Sequence, residues 1–263
     1  MKSFVFISGS PRSGTSALAT ILGWAPFSFM GQERFNLLFN RNEPDFVPGL
    51  FEPERIRNFR KFDCGYASFE ELKGYSGPAA NPEMIQSVDR AKFVGDKSIS
   101  LWRNFAIFDA PAWENQSVRV FHIVRDVTEV AASYQNRFDN PNDQWTADFQ
   151  KGVDVWSHSV IRAHQWMKSE IGKGHRAKLS IVSYEALFEG DEAAFMSGCG
   201  KIFTSAGFDF DNSHLEGPRK VFCASQEAQQ RRVISDEFRT RIGSIVNLET
   251  YQKFKQLEQM SIL

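Results

Sequence analysis

The chain has 263 residues, enough for a sizeable α/β core, and its 31 basic and 32 acidic residues leave a net charge of −1. That balance excludes a globally basic nucleic-acid or membrane-surface protein, so any basic site must be local. Cys64, Cys199 and Cys223 are scattered and lack CxxC spacing, which argues against a disulfide framework or a zinc site and for free thiols in a reducing compartment.

No apolar run approaches the ~20 residues of a membrane span, and a first strand starting near residue 3 leaves no room for a leader. The expectation is a cytoplasmic protein with no membrane, nucleic-acid or metal partner. No internal repeat or linker divides the sequence, so residues 1–263 are expected to form one domain.

The first stretch, Phe4 to Trp24, sets the organisation. Phe4-Val5-Phe6-Ile7 is an apolar run suited to a strand buried on both faces. Ser8-Gly9-Ser10-Pro11 is turn-forming and leads through Arg12-Ser13-Gly14-Thr15-Ser16 into a helical pattern with Ala17, Leu18, Ile21 and Leu22 on one face. Strand, glycine loop and helix N-terminus together make an anion cradle of backbone N–H groups and positive dipole. Gly9 to Ser16 has the G-x-x-x-x-G spacing of a nucleotide phosphate loop, but Thr15 stands where the lysine belongs. A site without that lysine is not built for a γ-phosphate. Its cation is Arg12, on the other side of the loop.

Pro26–Met30 is read as a short extended piece leading to Gly31-Gln32-Glu33. From there to about Val88 the sequence is irregular and rich in Phe, Pro, Gly and Arg, with short helices expected at Arg34–Phe39, Glu54–Phe62 and Ser68–Leu72. So long an interval suggests that 34–90 is an insertion or cap framing an acceptor cleft, although clustered aromatics also suit a core.

Strand signals resume at Ala91–Val94, Val118–Val124 and Lys178–Ser183. Helical patterns follow at Val127–Asn136, Trp145–Ile171, Ala193–Ala206, Ser235–Ile242 and Leu248–Leu257. This alternation predicts an α/β, P-loop-like three-layer fold with a central parallel sheet and helices on both faces. Ligands of such sheets bind at the carboxyl ends of the strands. Here those ends carry Gly95-Asp96-Lys97-Ser98, Arg125-Asp126 and Tyr184-Glu185.

Several of these residues carry chemistry. Asp126 and Glu129 fit a capping box for the helix after Val124. Arg125 at the strand end and Ser133 on that helix suit a second phosphate, although taken alone an Arg–Asp surface pair beside an ordinary helical serine is the commoner arrangement. Glu33 is placed to act as a general base near the loop, or to cap a surface helix. Lys97 could neutralise charge on a transferred group, or pair with Asp96. Tyr184 suits stacking on a purine, or packing. His158 and His164, on the long helix, are rival bases, and His122 within a strand reads as a core histidine.

Pro-Arg-Ser-Gly-Thr-Ser after an N-terminal strand, followed by Val124-Arg125-Asp126 and Ser133, resembles the sulfotransferases that use 3′-phosphoadenosine-5′-phosphosulfate (PAPS). The resemblance covers roughly Ser3–Glu33 and Val94–Leu187. It implies that Arg12, Ser13, Gly14, Thr15 and Ser16 hold the 5′-phosphosulfate, and that Arg125 and Ser133 hold the 3′-phosphate. It also explains the missing lysine, because PAPS has no γ-phosphate and needs no metal.

Gly31-Gln32-Glu33-Arg34 and Gly95-Asp96-Lys97-Ser98 are similar to segments of the tyrosylprotein and glycan branch. There a glutamate is the base and a lysine is in the active site, which would make Glu33, Arg12 and Lys97 the catalytic set. Tyr184-Glu185-Ala186-Leu187 looks like the family's strand end near the adenine.

The C-terminal basic segment of the phenol-type enzymes is not found, and Pro218-Arg219-Lys220 is a weak substitute. The implied acceptor is a small-molecule, glycan or peptide hydroxyl, less readily an amine, and the product is 3′,5′-ADP. A small-molecule kinase and a noncatalytic nucleotide-binding protein on a P-loop-like fold are the alternative readings.

Overall fold

The computed structural model describes residues 2–25, 27–40, 46–58, 63, 88–208, 216–230 and 233–263. Five parallel strands form one sheet in the order β2-β3-β1-β4-β5. They are β1 (Ser3–Ser8), β2 (Ser28–Gln32), β3 (Phe93–Lys97), β4 (Ser117–Val124) and β5 (Ala177–Ser183). The apolar runs of β1, β4 and β5 are strands because both faces are covered, which removes the polar alternation of a half-solvated sheet.

Alternate residues feed two cores. Phe4, Phe6, Val120, Val124 and Leu179 point into one, while Val5, Ile7, Phe121, Ile123 and Val182 point into the other. On the second face lie α1 (Thr15–Gly23), α6 (Tyr184–Phe188), α7 (Glu192–Ala206) and α8 (Glu216–Gln230), through Leu18, Leu187, Phe195 and Phe222. On the first lie α4 (Val127–Phe138), α5 (Phe149–Lys173) and α10 (Leu248–Gln259), through Val130, Trp156 and Phe254. Two short helices, α2 (Asn36–Asn40) and α3 (Pro53–Arg57), follow β2, and α9 (Asp236–Ile245) precedes α10. The expected three-layer parallel α/β fold is therefore the observed one.

The aromatic residues of the irregular segment that can be placed belong to the core. Phe46 and Phe51 pack on Phe6 with ring centroids 5.8 and 5.3 Å away, and Phe35 packs on Phe51 at 5.2 Å. A fully buried phenylalanine of this kind contributes roughly 1.5–3 kcal/mol. These rings hold the start of the 34–90 segment against the sheet and do not line an open cleft. The helix expected at Ser68–Leu72 and the end of the one expected at Glu54–Phe62 lie outside the described residues, as does Cys64.

Beyond shifts of a few residues at element ends, two strand or helix starts and one helix differ from the sequence reading. β3 was expected at Ala91–Val94 and instead runs Phe93–Lys97, taking in Gly95-Asp96-Lys97, which propensity assigns to a turn. A strand between two neighbours must satisfy its N–H and C=O groups in their ladders, and Gln32 and Ile7 both pair with Lys97. The long helix begins at Phe149 and not at Trp145, because Asp148 caps it by accepting from the Lys151 N–H. Helix α8 was not expected, because Gly217 and Pro218 look like breakers; in a first turn, where no intrahelical N–H is needed, they are tolerated.

The order of connections opens the site. From β1 the chain passes through α1 on one face, and from β4 it passes through α4 on the other. β1 and β4 are neighbours, so the segments leaving their carboxyl ends diverge and leave a crevice. This is the topological switch point where ligands of open α/β sheets bind.

Candidate active site

The loop after β1 is shaped by two unusual backbone conformations. Arg12 has φ of 70° and Gly14 has φ of 97°. At Gly14 the left-handed turn is tolerated because no side chain is present, and a Cβ there would lie 2.6 Å from the Tyr184 ring. Ser13 closes the turn by donating Oγ–H and N–H to the Ser10 carbonyl, at 2.6 and 3.2 Å. Helix α1 then starts at Thr15 with no acidic residue in its first turn, and among the described residues no side chain caps it. Its first N–H groups and positive dipole end therefore face the crevice, a setting that favours an anion by about 0.3–1 kcal/mol when exposed and more when buried.

Arg12 and Arg125 meet at this point. Arg12 Nε donates to Ser133 Oγ on α4 at 2.9 Å, and Ser133 is buried. Arg125 Nη1 reaches the Arg12 carbonyl at 3.3 Å, and its Nη2 pairs with Glu129 at 3.1 Å. The Arg125 guanidinium also lies 3.9 Å over the Tyr184 ring. The loop after β1 and the segment from Arg125 to Ser133, which stand apart in sequence, thus share one network.

The capping box is only half as expected. Asp126 does cap α4 by accepting from the Thr128 N–H, but Glu129 turns to Arg125, and the Asp126 N–H goes to Glu185 at 2.8 Å. Burial pushes the Glu185 carboxyl up to about 7, against the opposing pull of that N–H and of Arg125.

A cavity of about 470 Å³ opens here between α1 and α8. Arg12, Gly14, Thr15, Ser16, Arg125 and Tyr184 line it, joined by Lys220 and by residues that the sequence reading did not assign to the site: Thr20, Trp24, Val221 and Ser225. Trp24 is half-exposed, and α8 passes so close that a Cβ on Gly217 would lie 2.1 Å from its ring. The Tyr184 hydroxyl hydrogen-bonds with Ser225 Oγ at 3.1 Å. Of the basic pair singled out on α8, Lys220 lines the cavity, whereas Arg219 turns outward to Glu192 at 2.7 Å. The signal for α8 was present as an amphipathic pattern, but no local feature ties that helix to a loop 200 residues earlier.

Glu33 and Lys97 form a second group on the adjoining strand ends and do not line this cavity. Lys97 Nζ donates to Glu33 Oε1 at 2.6 Å, with both side chains buried. The ion pair considered for Lys97 with Asp96 is thus made with Glu33 instead. Glu33 is not a surface helix cap either: it sits in a left-handed turn with φ of 60°, three residues before α2. In parallel register Lys97 lies opposite Ile7, next to the residue where the loop begins.

The rival histidines are placed elsewhere. His164 is buried on α5 and hydrogen-bonds with Gln256 of α10 at 2.7 Å, while His158 is exposed on the same helix. His122 is a core residue between Ser8 and Ser159, and burial lowers it to about 3, so it stays neutral. Among the described residues no cluster of His, Cys, Asp or Glu could hold a metal ion, and no helix is long and apolar enough to cross a membrane.

Known structures similar to this chain are sulfotransferases. The chain aligns over 98% of its length with 98% of a sulfotransferase domain from the curacin biosynthetic pathway, at 16% identity and a TM-score of 0.52. It also aligns with the mouse sulfotransferase SULT7A1 complexed with PAP, at 15% identity and TM-score 0.46, covering 98% of this chain and 83% of that one. A sulfotransferase from Alicyclobacillus acidocaldarius aligns at 15% identity and TM-score 0.48, covering 91% and 99% respectively. No curated protein matches by sequence. The sequence model of the sulfotransferase family, however, matches residues 4–197, and the chain belongs to the sulfotransferase family.

Proposed function

We propose that this sulfotransferase takes its sulfuryl group from PAPS and delivers it to an acceptor hydroxyl by in-line displacement. The acceptor oxygen forms a bond to sulfur as the bond from sulfur to the phosphate oxygen breaks. The acceptor proton passes to Glu33, and 3′,5′-ADP leaves.

One observation carries this reading. At the switch point the uncapped start of α1, Arg12 and Arg125 line a single cavity, and the buried Ser133 stands behind Arg12, accepting from its Nε. That set offers two separated anion positions, one at a helix N-terminus and one between a strand-end guanidinium and a serine hydroxyl. A donor with a 5′-phosphosulfate and a 3′-phosphate fits it; a triphosphate lacks the loop lysine that would reach its γ-phosphate, since Thr15 stands in that place.

Ser13, Gly14, Thr15 and Ser16 hold the 5′-side phosphate through the loop and helix N–H groups. Arg125 and Ser133 hold the 3′-phosphate, and Tyr184 braces Arg125 from below. Arg125 lies over the Tyr184 ring and Phe188 packs on it with centroids 4.7 Å apart, so the ring is held firmly where it contacts the adenine. Arg12 and Lys97 steady the charge that spreads over the bridging and non-bridging oxygens. Much of the acceleration comes from positioning and a preorganised field. The acceptor is a small-molecule, glycan or peptide hydroxyl, and the 34–90 segment frames it. The scattered thiols support a reducing, cytoplasmic setting.

A competition experiment tests the donor. Displacement of a labelled 3′,5′-ADP by unlabelled 3′,5′-ADP should be at least about tenfold more effective than by 5′-ADP or ATP–magnesium. Preference for ATP–magnesium would overturn the proposal in favour of a kinase.

A further inference from the structure

Asp96 carries no role in the reaction derived above, yet it is completely buried beside the proposed base. Its two carboxylate oxygens accept from consecutive main-chain N–H groups, Arg34 at 3.2 Å and Phe35 at 2.9 Å. Those residues directly follow Glu33. The space for the carboxylate exists because residue 31, opposite Asp96 in the sheet, is glycine; a Cβ there would lie 2.6 Å from Asp96 Oδ1. The rest of the β3 end grips the same turn. The Lys97 carbonyl accepts the Glu33 N–H at 2.7 Å, Lys97 Nζ holds the Glu33 carboxylate, and Ser98 Oγ donates to Asn36 at 3.0 Å.

This clamp holds a backbone conformation that a glutamate rarely adopts. A non-glycine residue at φ of 60° costs of order 1–3 kcal/mol and persists only where its surroundings over-determine it. We infer that Asp96 is a positioning residue: by fixing the N–H groups of Arg34 and Phe35 it locks the Glu33 turn and sets the Glu33 carboxylate against Lys97. The inference rests on Glu33 being the base.

A plain structural cap is a poorer account of the same residue. Burial raises the Asp96 carboxyl to about 7, against the pull of the Phe35 and Arg34 N–H groups, so this carboxylate is held at a cost to stability. Asparagine or serine would cap one N–H without that cost, but neither offers two acceptor oxygens to two successive N–H groups. The arrangement favours rigidity of the turn over stability of the fold, as expected beside a reacting group.

The test uses the full chain and reads 3′,5′-ADP formed from PAPS with water and a small phenol as acceptors, alongside 3′,5′-ADP affinity. Asp96→Ala should lower kcat about 10–100-fold, the cost of misplacing a catalytic group by about 1 Å, while 3′,5′-ADP affinity stays within about twofold. Asp96→Asn, with one acceptor oxygen left, should recover part of the loss and also serves if the alanine variant does not fold.

In a Glu33→Gln background, Asp96→Ala should have little further effect, because it acts through Glu33. Unchanged kcat in both Asp96 variants, or a fall in 3′,5′-ADP affinity matching the fall in kcat, would overturn the positioning role. A full, multiplicative loss in the Glu33→Gln background would overturn it too, while leaving Glu33 as base. Near-wild-type turnover of Glu33→Gln alone would remove the base, and the positioning role with it.

Discussion

The two halves of the sheet's carboxyl edge are built from the same kind of strand ends but behave differently. At β1 and β4 the chain leaves on opposite faces, and the edge opens into a cavity lined by Arg12, Arg125, Trp24 and Tyr184. At β2 and β3 it closes: Glu33, Asp96 and Lys97 are all buried, with Lys97 paired to Glu33 and Asp96 holding the turn that follows β2. An open crevice suits a large anionic donor that must enter and leave. A closed clamp suits a carboxylate that must keep one orientation. Arg12 at φ 70° and Glu33 at φ 60° are two of four described non-glycine residues with positive φ, so each half carries one strained residue, and each is assigned to the reaction.

The sharpest way to separate the halves is to damage one and measure the other. Glu33→Gln should reduce turnover by about 10²–10⁴-fold, the usual cost of losing a positioned base, while calorimetric 3′,5′-ADP affinity changes less than about twofold. A proportional loss of both would merge the halves into one binding site. Arg125→Ala should do the reverse. It should weaken 3′,5′-ADP by about 10–100-fold, as expected for charge-assisted hydrogen bonds worth about 1.5–3 kcal/mol, and weaken 5′-ADP far less. Equal losses for the two nucleotides would break the assignment of the 3′-phosphate to Arg125.

Gly14→Ala should strain the loop and push on Tyr184, costing about 1–3 kcal/mol in stability. It should also weaken 3′,5′-ADP and 5′-ADP to the same degree, which a titration of both nucleotides checks. A variant as stable as the parent would mean that the loop does not depend on its left-handed turn.

The smallest effect is in the pH dependence of stability. Burial raises Asp96 from 3.8 and Glu185 from 4.5, both to about 7. Each group therefore keeps its proton in the folded chain over a range where the unfolded chain has lost it. Their contribution to stability is fully present below pH 4 and is lost as pH rises through 7. One group lies in each half. Glu185→Gln keeps an acceptor for the Asp126 N–H and should flatten the decline in urea midpoint between pH 5 and 8; an unchanged slope would remove Glu185 as a source of it.

Much of this was legible locally. The strands β1, β4 and β5 and the helices after them follow from apolar runs and 3.6-residue periodicity, because a strand buried on both faces and an amphipathic helix each impose their own pattern on the residues. The loop from Gly9 to Ser16 was legible because a tight turn from a strand into a helix start favours glycine at fixed spacing. Tyr184 at the end of β5 was legible as a strand-end aromatic, but its contact with Arg125 was not. Nor was the shift of β3 onto Gly95-Asp96-Lys97, since residues of low strand propensity are held there only by ladders to β1 and β2.

The sequence by itself determined the fold class, the glycine loop between β1 and α1 and the identity of the charged residues at the strand ends, because those depend on spacings of a few residues. Tertiary structure alone decided which of them meet. Arg12 with Ser133, Lys97 with Glu33, Asp96 with Arg34 and Phe35, and Trp24 with α8 are pairs separated by 61 to about 200 residues. Their proximity comes from the strand order β2-β3-β1-β4-β5 and from α1 and α4 leaving on opposite faces. Strand order is a choice among packings of the same elements, and no spacing within one element records it.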